Sequence, residues 1–388
     1  MKRKWGDNRM ESYANKDHFS VLIPDGESDF ALSVLRCLSQ IKGLSLYVLS
    51  NDPCARIRFS RHLTQFFSQK GGENDEGRLA AILYAVKQTG ADVILPVDQR
   101  TIRLLSVEGG TLSQLTAIAP VPDTEAFDIA ENKWLLAEFL KKNAIPCPPT
   151  ILYQTDQEFD QRLSAIPFPV LIKPVQGKAG KGIKLFDNPS ALLKFFDEYV
   201  GSEEFIVQSF IRGYDIDCSV LCQEGKLLAY TIQKGFMEGP RPFSPPGGVE
   251  FLYDIGTYDI IRVLVAALKW TGIANFDLRY DEQDKQVKMI EMNPRFWSSL
   301  LGSLIAGVNF PYLAYLAGLK VNLPKVEYQP IRFIKRNAAI KILTQRFLGK
   351  NTDLDFDSTD IGFWLRDPFP EVIGSCLRVY RNVMQGCT

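Results

Sequence analysis

Patterned sequence begins at residue 19. FSVLIP (19–24) is a continuous apolar run of strand length, DGESDF reads as a turn, and ALSVLRCLSQ places Leu32, Val34, Leu35 and Leu38 at helical spacing. LSLYVLSND (44–52) predicts a second strand, and RLAAILYAVKQTG a helix stopped by Gly90. ADVILPVD (91–98) predicts a third strand, with a helical pattern around TIRLLS after it. Strands alternating with helices imply a parallel sheet, so residues 19–125 are expected to form a small doubly wound α/β domain. No GxGxxG follows the first strand, so no dinucleotide is assigned to it.

AFDIAENKWLLAEFLKKNAIPCPPT predicts one helix with Trp134, Leu135, Phe139 and Leu140 on its apolar face, ended by IPCPPT. From 168 to 326 the pattern changes to strands and turns, with a helix near 256–270, which predicts an α+β region. Beyond 326 the chain is basic and helical (IRFIKRNAAIKILTQRF), then acidic and loop-like (DLDFDSTD). The expected organisation is a polar leader (1–18), an α/β domain (19–125), an α+β domain (126–326) and a helical C-terminal extension (327–388). The extension either packs on the domain before it or meets a partner or membrane surface.

Composition narrows the chemistry. Lys+Arg and Asp+Glu are both 45 in 388 residues, and this zero net charge gives no support for non-specific nucleic-acid binding. The seven cysteines are scattered, no CxxC occurs, and only His18 and His62 are present, so neither a zinc cluster nor a histidine-based triad is expected. The thiols read as reduced, as in a cytoplasmic protein. The N-terminus lacks a signal-peptide core, and runs such as VLVAAL (263–268) are too short to span a bilayer. Catalysis must therefore use Lys, Arg, carboxylates and backbone groups.

Three segments carry such chemistry. In FPVLIKPVQGKAGKGIKLF (168–186), Lys173 interrupts an apolar strand, which is costly unless it faces an anion. Gly177, Gly180 and Gly182 then allow backbone N–H groups close to phosphate oxygens, although an ordinary glycine-rich hairpin has the same pattern. In EFIVQSFIRGYDIDCSVL (204–221), a strand end at Gln208 could read an adenine edge and a carboxylate beyond it a ribose, or the segment is a plain strand–turn–strand. In NFDLRYDEQDKQVKMIEMNPRFWSSL (275–300), a hairpin brings Asp277 beside Glu291 and Asn293, three hard oxygen ligands suited to Mg²⁺ bridging ATP phosphates. Arg295 is placed to hold a phosphoryl or carboxylate oxygen.

In this order and at these separations, the segments resemble the ATP-grasp superfamily. IEMNPR (290–295) is similar to the metal-binding motif of carbamoyl phosphate synthetase and related carboxylate–amine ligases, and Asn132-Lys133 to that branch's helix start. The resemblance covers residues 19 to about 320 and is nearest to predicted ATP-dependent carboligases of that group. It implies a pre-ATP-grasp α/β domain followed by an ATP-grasp domain of two subdomains, about 150–210 with the ATP lid and hinge and about 211–326 with the metal and substrate sites. It implies ATP contacts at Lys133, Lys173, Gly177, Lys178, Gly180, Lys181, Gly182, Gln208, Ser209, Phe210, Ile211 and Asp215. Mg²⁺, with Mn²⁺ an alternative, would fall to Asp277, Glu291 and Asn293, and Lys173 and Arg295 would be the catalytic cations. Many members have Glu where Gln208 and Asp215 stand here. Lys178 and Lys181 either reach the γ-phosphate or are solvated.

The implied activity is ligation of a carboxylate to an amine, or to a thiol, through an acyl phosphate, with an amino acid as one substrate. An ATP-grasp small-molecule kinase and a non-catalytic nucleotide binder are the alternatives, and homodimerisation stays open. Substrate candidates are Lys234 and Arg241 in the Gly/Pro-rich segment 230–254, with Arg295, Trp297 and Ser298 after the metal motif. Phe236, Phe243 and Phe251 line a pocket or pack a core. Arg36, Ser60, Arg61, Asp98, Gln99 and Arg100 close the site from the first domain, or cap helices and form ion pairs there.

Overall fold

Five parallel strands make the first layer of the computed structural model, which describes residues 19–69, 74–154, 159–177, 180–241, 243–349, 354–374 and 376–377. They run β1 (Phe19–Ile23), α1 (Ala31–Leu38), β2 (Leu44–Ser50), β3 (Gln65–Ser68), α2 (Asp75–Thr89), β4 (Val93–Ile94), α3 (Gln99–Leu112) and β5 (Ala117–Ile118), in sheet order β3-β2-β1-β4-β5. Alternate residues of β1 serve two cores: Val21 and Ile23 pack with α1, and Leu22 with α2 and α3. Gly90 ends α2 at φ 58°, a left-handed cap that costs glycine nothing. The strands β3 and β5 lie outside the sequence expectation, being short and only partly buried.

The helix expected across Asn132 is two helices, α4 (Thr124–Glu131) and α5 (Lys133–Lys142). The Asn132 side chain accepts from the amides of Trp134 and Leu135, so it starts a new helix instead of continuing the old one. The restart changes the phase of the apolar face: Lys133, Leu136 and Leu140 turn inward and Leu135 is left 42% exposed.

A four-stranded antiparallel sheet follows, built from β6 (Thr150–Leu152), α6 (Phe159–Ser164), β7 (Val170–Pro174), β8 (Lys184–Phe186), α7 (Pro189–Glu198) and β9 (Phe205–Ser209), in order β6-β9-β7-β8. Its core is aromatic, with Tyr153 stacked on Phe196 and Phe159 against the edge of both rings.

The largest sheet has six antiparallel strands in order β14-β13-β10-β11-β12-β15. Its elements are β10 (Gly213–Gln223), β11 (Lys226–Met237), β12 (Gly248–Leu252), α8 (Ile255–Ala267), β13 (Gly272–Asp281), β14 (Gln286–Asn293), α9 (Leu300–Ala306), α10 (Phe310–Gly318), β15 (Arg332–Ile334), α11 (Arg336–Phe347) and α12 (Ile361–Arg366). One face packs Ile216, Cys218, Phe276 and Met289 beneath α8. The other packs Phe251 and Phe333 with α9, α10 and α1, a core that joins this sheet to the first domain. Asn309 ties the join, donating its side-chain N–H to the carbonyl of Cys37 at 2.9 Å.

The chain beyond 326 is part of this architecture. β15 pairs with β12 and completes the six-stranded sheet, so the boundary expected at 326 does not separate structural units. Among α11 side chains only Ala339 is buried. The segment after α12 returns to the first domain. Buried Asp367 accepts from Ser60 Oγ at 2.7 Å and the Arg61 amide at 3.0 Å, while Arg36 donates to Glu371 and to the Asp367 carbonyl. Among the described residues no single helix is long and apolar enough to cross a membrane, and the bent pair α9–α10 is mostly buried.

Candidate active site

Strand register assembles a row of polar side chains. Gln233 on β11 stands opposite Asp217 on β10, Asp217 opposite Asp277 on β13, and Asp277 opposite Glu291 on β14. Opposed residues of antiparallel strands share a face with Cβ atoms about 4.5–5.5 Å apart. The alternation of β13 drives the row outward: Phe276 and Leu278 enter the α8 core, so Asn275, Asp277 and Arg279 take the other side.

This crowding has an electrostatic cost. Burial, then the neighbouring Asp215, pushes the Asp217 carboxyl up to about 7. Burial, with Asp217 and Glu291 beside it, raises Asp277 well above the carboxylate range. The amides of Asn275 and Asn293 donate to the two oxygens of Asp277 at 2.8 and 3.1 Å, and Arg295 donates to Asn293 Oδ1 at 2.9 Å. Like charges stacked this closely are stable when a cation neutralises them.

The donor set fits a hard divalent ion. Asp277 and Glu291 offer carboxylate oxygens, and Asn293 adds an amide whose oxygen is held by Arg295. No group of three or more His, Cys, Asp or Glu among the described residues is arranged to hold a metal. Two carboxylates and an amide therefore make a half-shell, the arrangement suited to Mg²⁺ completed by phosphate oxygens and water.

Two buried lysines reach toward this row, Lys173 from the smaller sheet and Lys133 from the start of α5. Lys173 on β7 is 5% exposed and donates to Gln208 Oε1 at 2.7 Å, and Gln208 in turn donates to Thr150 Oγ1 at 2.9 Å. Burial lowers the Lys173 ammonium to about 8, against the opposing pull of Glu291. Lys133, the first residue of α5, lies 3.3 Å from Glu291 and donates to the Gly177 carbonyl at 3.3 Å. Asn132 capping turns Lys133 inward, and its amide bonds the Val175 carbonyl at 3.1 Å.

The glycine-rich loop joins β7 to β8 above these lysines. Gly180 has φ 72°, and a Cβ there would lie 2.6 Å from the Phe243 carbonyl oxygen, so the loop meets the β11–β12 connection only with glycine. Lys181 is exposed, and Lys178 lies outside the described residues. At the hinge, the Ser209 and Phe210 amides bond the carbonyls of Pro149 and Pro169. Arg279, which sequence reasoning missed, donates to the carbonyls of Ile211 and Gly213 at 2.8 Å and pairs with Asp215, whose side chain is 68% exposed. Its signal was positional: it follows Asp277 by two residues on the same strand face.

Substrate candidates scatter. Arg295 lies over the Phe30 ring of the first domain at 4.7 Å, near Asp98, with Nε buried and lacking a partner among the described residues. Asp98 itself accepts from Ser28. Trp297 is 3% exposed and packs edge-on to Phe310 at 4.9 Å, so it belongs to the core, as does Phe251. Ser298 is exposed and accepts from Lys335 Nζ at 2.9 Å. Lys234, opposite Ile216, is on the other face of the sheet with its ammonium 3.4 Å from the Tyr214 ring centre. Arg241 is exposed in the β11–β12 connection, as is Phe243, and Phe236 is exposed near the end of β11. Arg36, Ser60 and Arg61 bind the C-terminal segment, Gln99 is buried in the first turn of α3, and Arg100 pairs with Asp75 at the surface.

Sequence and structure comparisons find proteins similar to this chain. The family model described as an ATP-grasp domain matches residues 130–299. D-aspartate ligase of Enterococcus faecium is 22% identical over 325 residues, 77% of this chain and 76% of that protein. Carbamoyl-phosphate synthase of Methanobrevibacter smithii is 26% identical over 180 residues, covering 45% of this chain and 48% of that protein, so the match spans about half of each. The crystal structure of N5-carboxyaminoimidazole synthetase from Staphylococcus aureus with ADP superposes with a TM-score of 0.66 at 16% identity, over 86% of this chain and 87% of that one. Residues 130–299, the stretch that matches the ATP-grasp domain, carry Lys133, Lys173, Asp277, Glu291 and Asn293.

Proposed function

We propose that this chain is an ATP-dependent ligase that activates a carboxylate as its acyl phosphate and passes the acyl group to an amine, with ADP and phosphate as products. The observation that carries the reading is the facing of two buried lysines, Lys133 and Lys173, onto the Asp277–Glu291 row across one cleft. The names of the matched relatives, D-aspartate ligase and carbamoyl-phosphate synthase, support it.

Asp277, Glu291 and Asn293 would hold Mg²⁺, which when bound neutralises charge on the ATP phosphates. Lys133 and Lys173 neutralise the remaining phosphate oxygens, and the backbone of the glycine-rich loop covers them. Arg295 orients the incoming carboxylate. A carboxylate oxygen forms a bond to the γ-phosphorus as the bond to the bridging oxygen breaks, and ADP departs with that electron pair. The amine nitrogen then bonds to the acyl carbon, the carbon–oxygen bond breaks, and phosphate leaves carrying the nitrogen's proton. Both transfers run directly between ATP, acid and amine, so no covalent enzyme intermediate is required.

The test is MgATP-dependent phosphate release across a panel of carboxylic acids with pooled amines, comparing wild type with Glu291→Gln. Release that needs both an acid and an amine, and is lost in the variant, is expected. Phosphorylated acid as the final product, indifferent to amine, would make the chain a kinase; ATP binding without turnover in any pool would make it a binder.

A further inference from the structure

We propose that the cleft contains a second subsite, made by Gln233, Asp217, Lys335 and Ser298, that binds the attacking amine as an amino acid: nitrogen at the Gln233–Asp217 end, carboxylate at the Lys335–Ser298 end. The proposal rests on the ligase reading and assigns its nucleophile a chemical class.

At the first end, Gln233 is 3% exposed, and its Nε2 donates to Asp217 Oδ2 at 3.5 Å. Its Oε1 is buried and has no hydrogen-bond partner among the described residues. Asp217 is the member of the polar row that the Mg²⁺ and phosphate assignment leaves unused, and it extends that row toward β11. An unmatched amide oxygen beside a carboxylate is a receptor for a group rich in N–H donors, an ammonium.

At the other end, Lys335 comes from beyond the matched ATP-grasp segment. It follows β15 by one residue and is fixed by its amide bonding the Gly247 carbonyl at 2.9 Å. Its ammonium hydrogen-bonds Ser298 Oγ at 2.9 Å and, among the described residues, forms no ion pair within 4.0 Å. Register carries both ends to one face of the sheet: Gln233 stands opposite Phe251, Val249 opposite Phe333, and Lys335 follows Phe333 by two residues. The carboxylates of Asp217 and Asp360 act on Lys335 from beyond ion-pair distance, and a cation that hydrogen-bonds an exposed hydroxyl and closes no ion pair is a receptor for a carboxylate. An amine that carries its own acid satisfies both ends at once.

Binding is measured by calorimetry on the full chain with MgADP present, using pools of L- and D-amino acids. Each binder is then compared with its decarboxylated amine and its hydroxy-acid analogue. Wild type is expected to bind at least one amino acid, and to bind both analogues at least 10-fold more weakly. Lys335→Met should erase the preference over the decarboxylated amine, and Gln233→Leu the preference over the hydroxy acid, with ADP affinity and melting temperature retained. Absence of any amino-acid binding overturns the proposal, as does Lys335→Met with unchanged amino-acid affinity, or with equal loss for acid-bearing and acid-lacking amines. Phosphate release separates the two readings. Amine-dependent turnover untouched by Lys335→Met removes the subsite and keeps the ligase. Amino-acid binding that needs Lys335, with no ligation by any acid, keeps the subsite and removes the ligase.

Discussion

Asp277 and Asp217 stand directly opposite each other on neighbouring antiparallel strands, both half-buried and both with carboxyls raised by the arrangement. The fold thus stores repulsion where the ligase reading places cations. Replacing Asp277 by Asn should relieve that repulsion and abolish turnover together. The ligand-free protein is expected to melt several degrees higher, while phosphate release falls by about 10³-fold, in line with the loss of a principal electrostatic group. Thermal melts and the phosphate assay on one preparation check both halves.

Lys173 supplies a pH signature. Its folded-state value is lowered from 10.5 to about 8 by burial, so the free protein bears the cost of a buried charge below pH 8 and loses that cost as pH rises from 8 toward 10.5. ATP binding needs the charged form. Affinity for ATP should therefore fall tenfold per pH unit above about 8, a limb that Lys173→Arg moves beyond the accessible range. Lys173→Met should remove a penalty of about 3 kcal/mol and forfeit the bond to Gln208, worth about 1 kcal/mol. The variant is thus expected to be more stable and unable to bind ATP.

Asp367 holds the C-terminal segment against the first domain through Ser60, Arg61 and Arg36. Asp367→Ala strands buried polar groups, although Arg36 keeps Glu371. A loss of about 2–3 kcal/mol is expected in chemical denaturation, the range for breaking a buried charged network that retains one partner.

Trp297 and Lys234 should separate packing from recognition. Trp297→Ala empties a core position and should cost about 3–5 kcal/mol. Lys234→Met, on the far face of the sheet, should leave the KM for each substrate within about twofold, because a surface cation–π contact carries only about 0.5–1 kcal/mol. A large KM change for Lys234→Met would return it to the site.

The hairpin from Asn275 to Asn293 was legible because period-two alternation leaves Asp277, Glu291 and Asn293 on one side wherever Phe276 and Met292 are buried. Lys173 was legible because a lone charge in an apolar strand needs a partner. Gln233, Arg279 and Lys335 were not legible as a group with them. Gln233 and Lys335 are about 100 residues apart in the chain, and nothing in either local pattern names the other.

Local pattern alone determined the parallel domain, the α+β character of the region after 168, the hairpin that sets Asp277 beside Glu291 and the buried lysine, because periodicity and the cost of burying charge act within a few residues. Tertiary structure decided the rest. It broke the helix at Asn132 by a capping bond and sent Trp297 to the core. It placed Lys234 on the far face of the sheet and made the chain beyond 326 a sixth strand bordering the cleft. Those outcomes depend on register and packing between distant segments, a free energy shared across the fold that no single stretch of sequence carries.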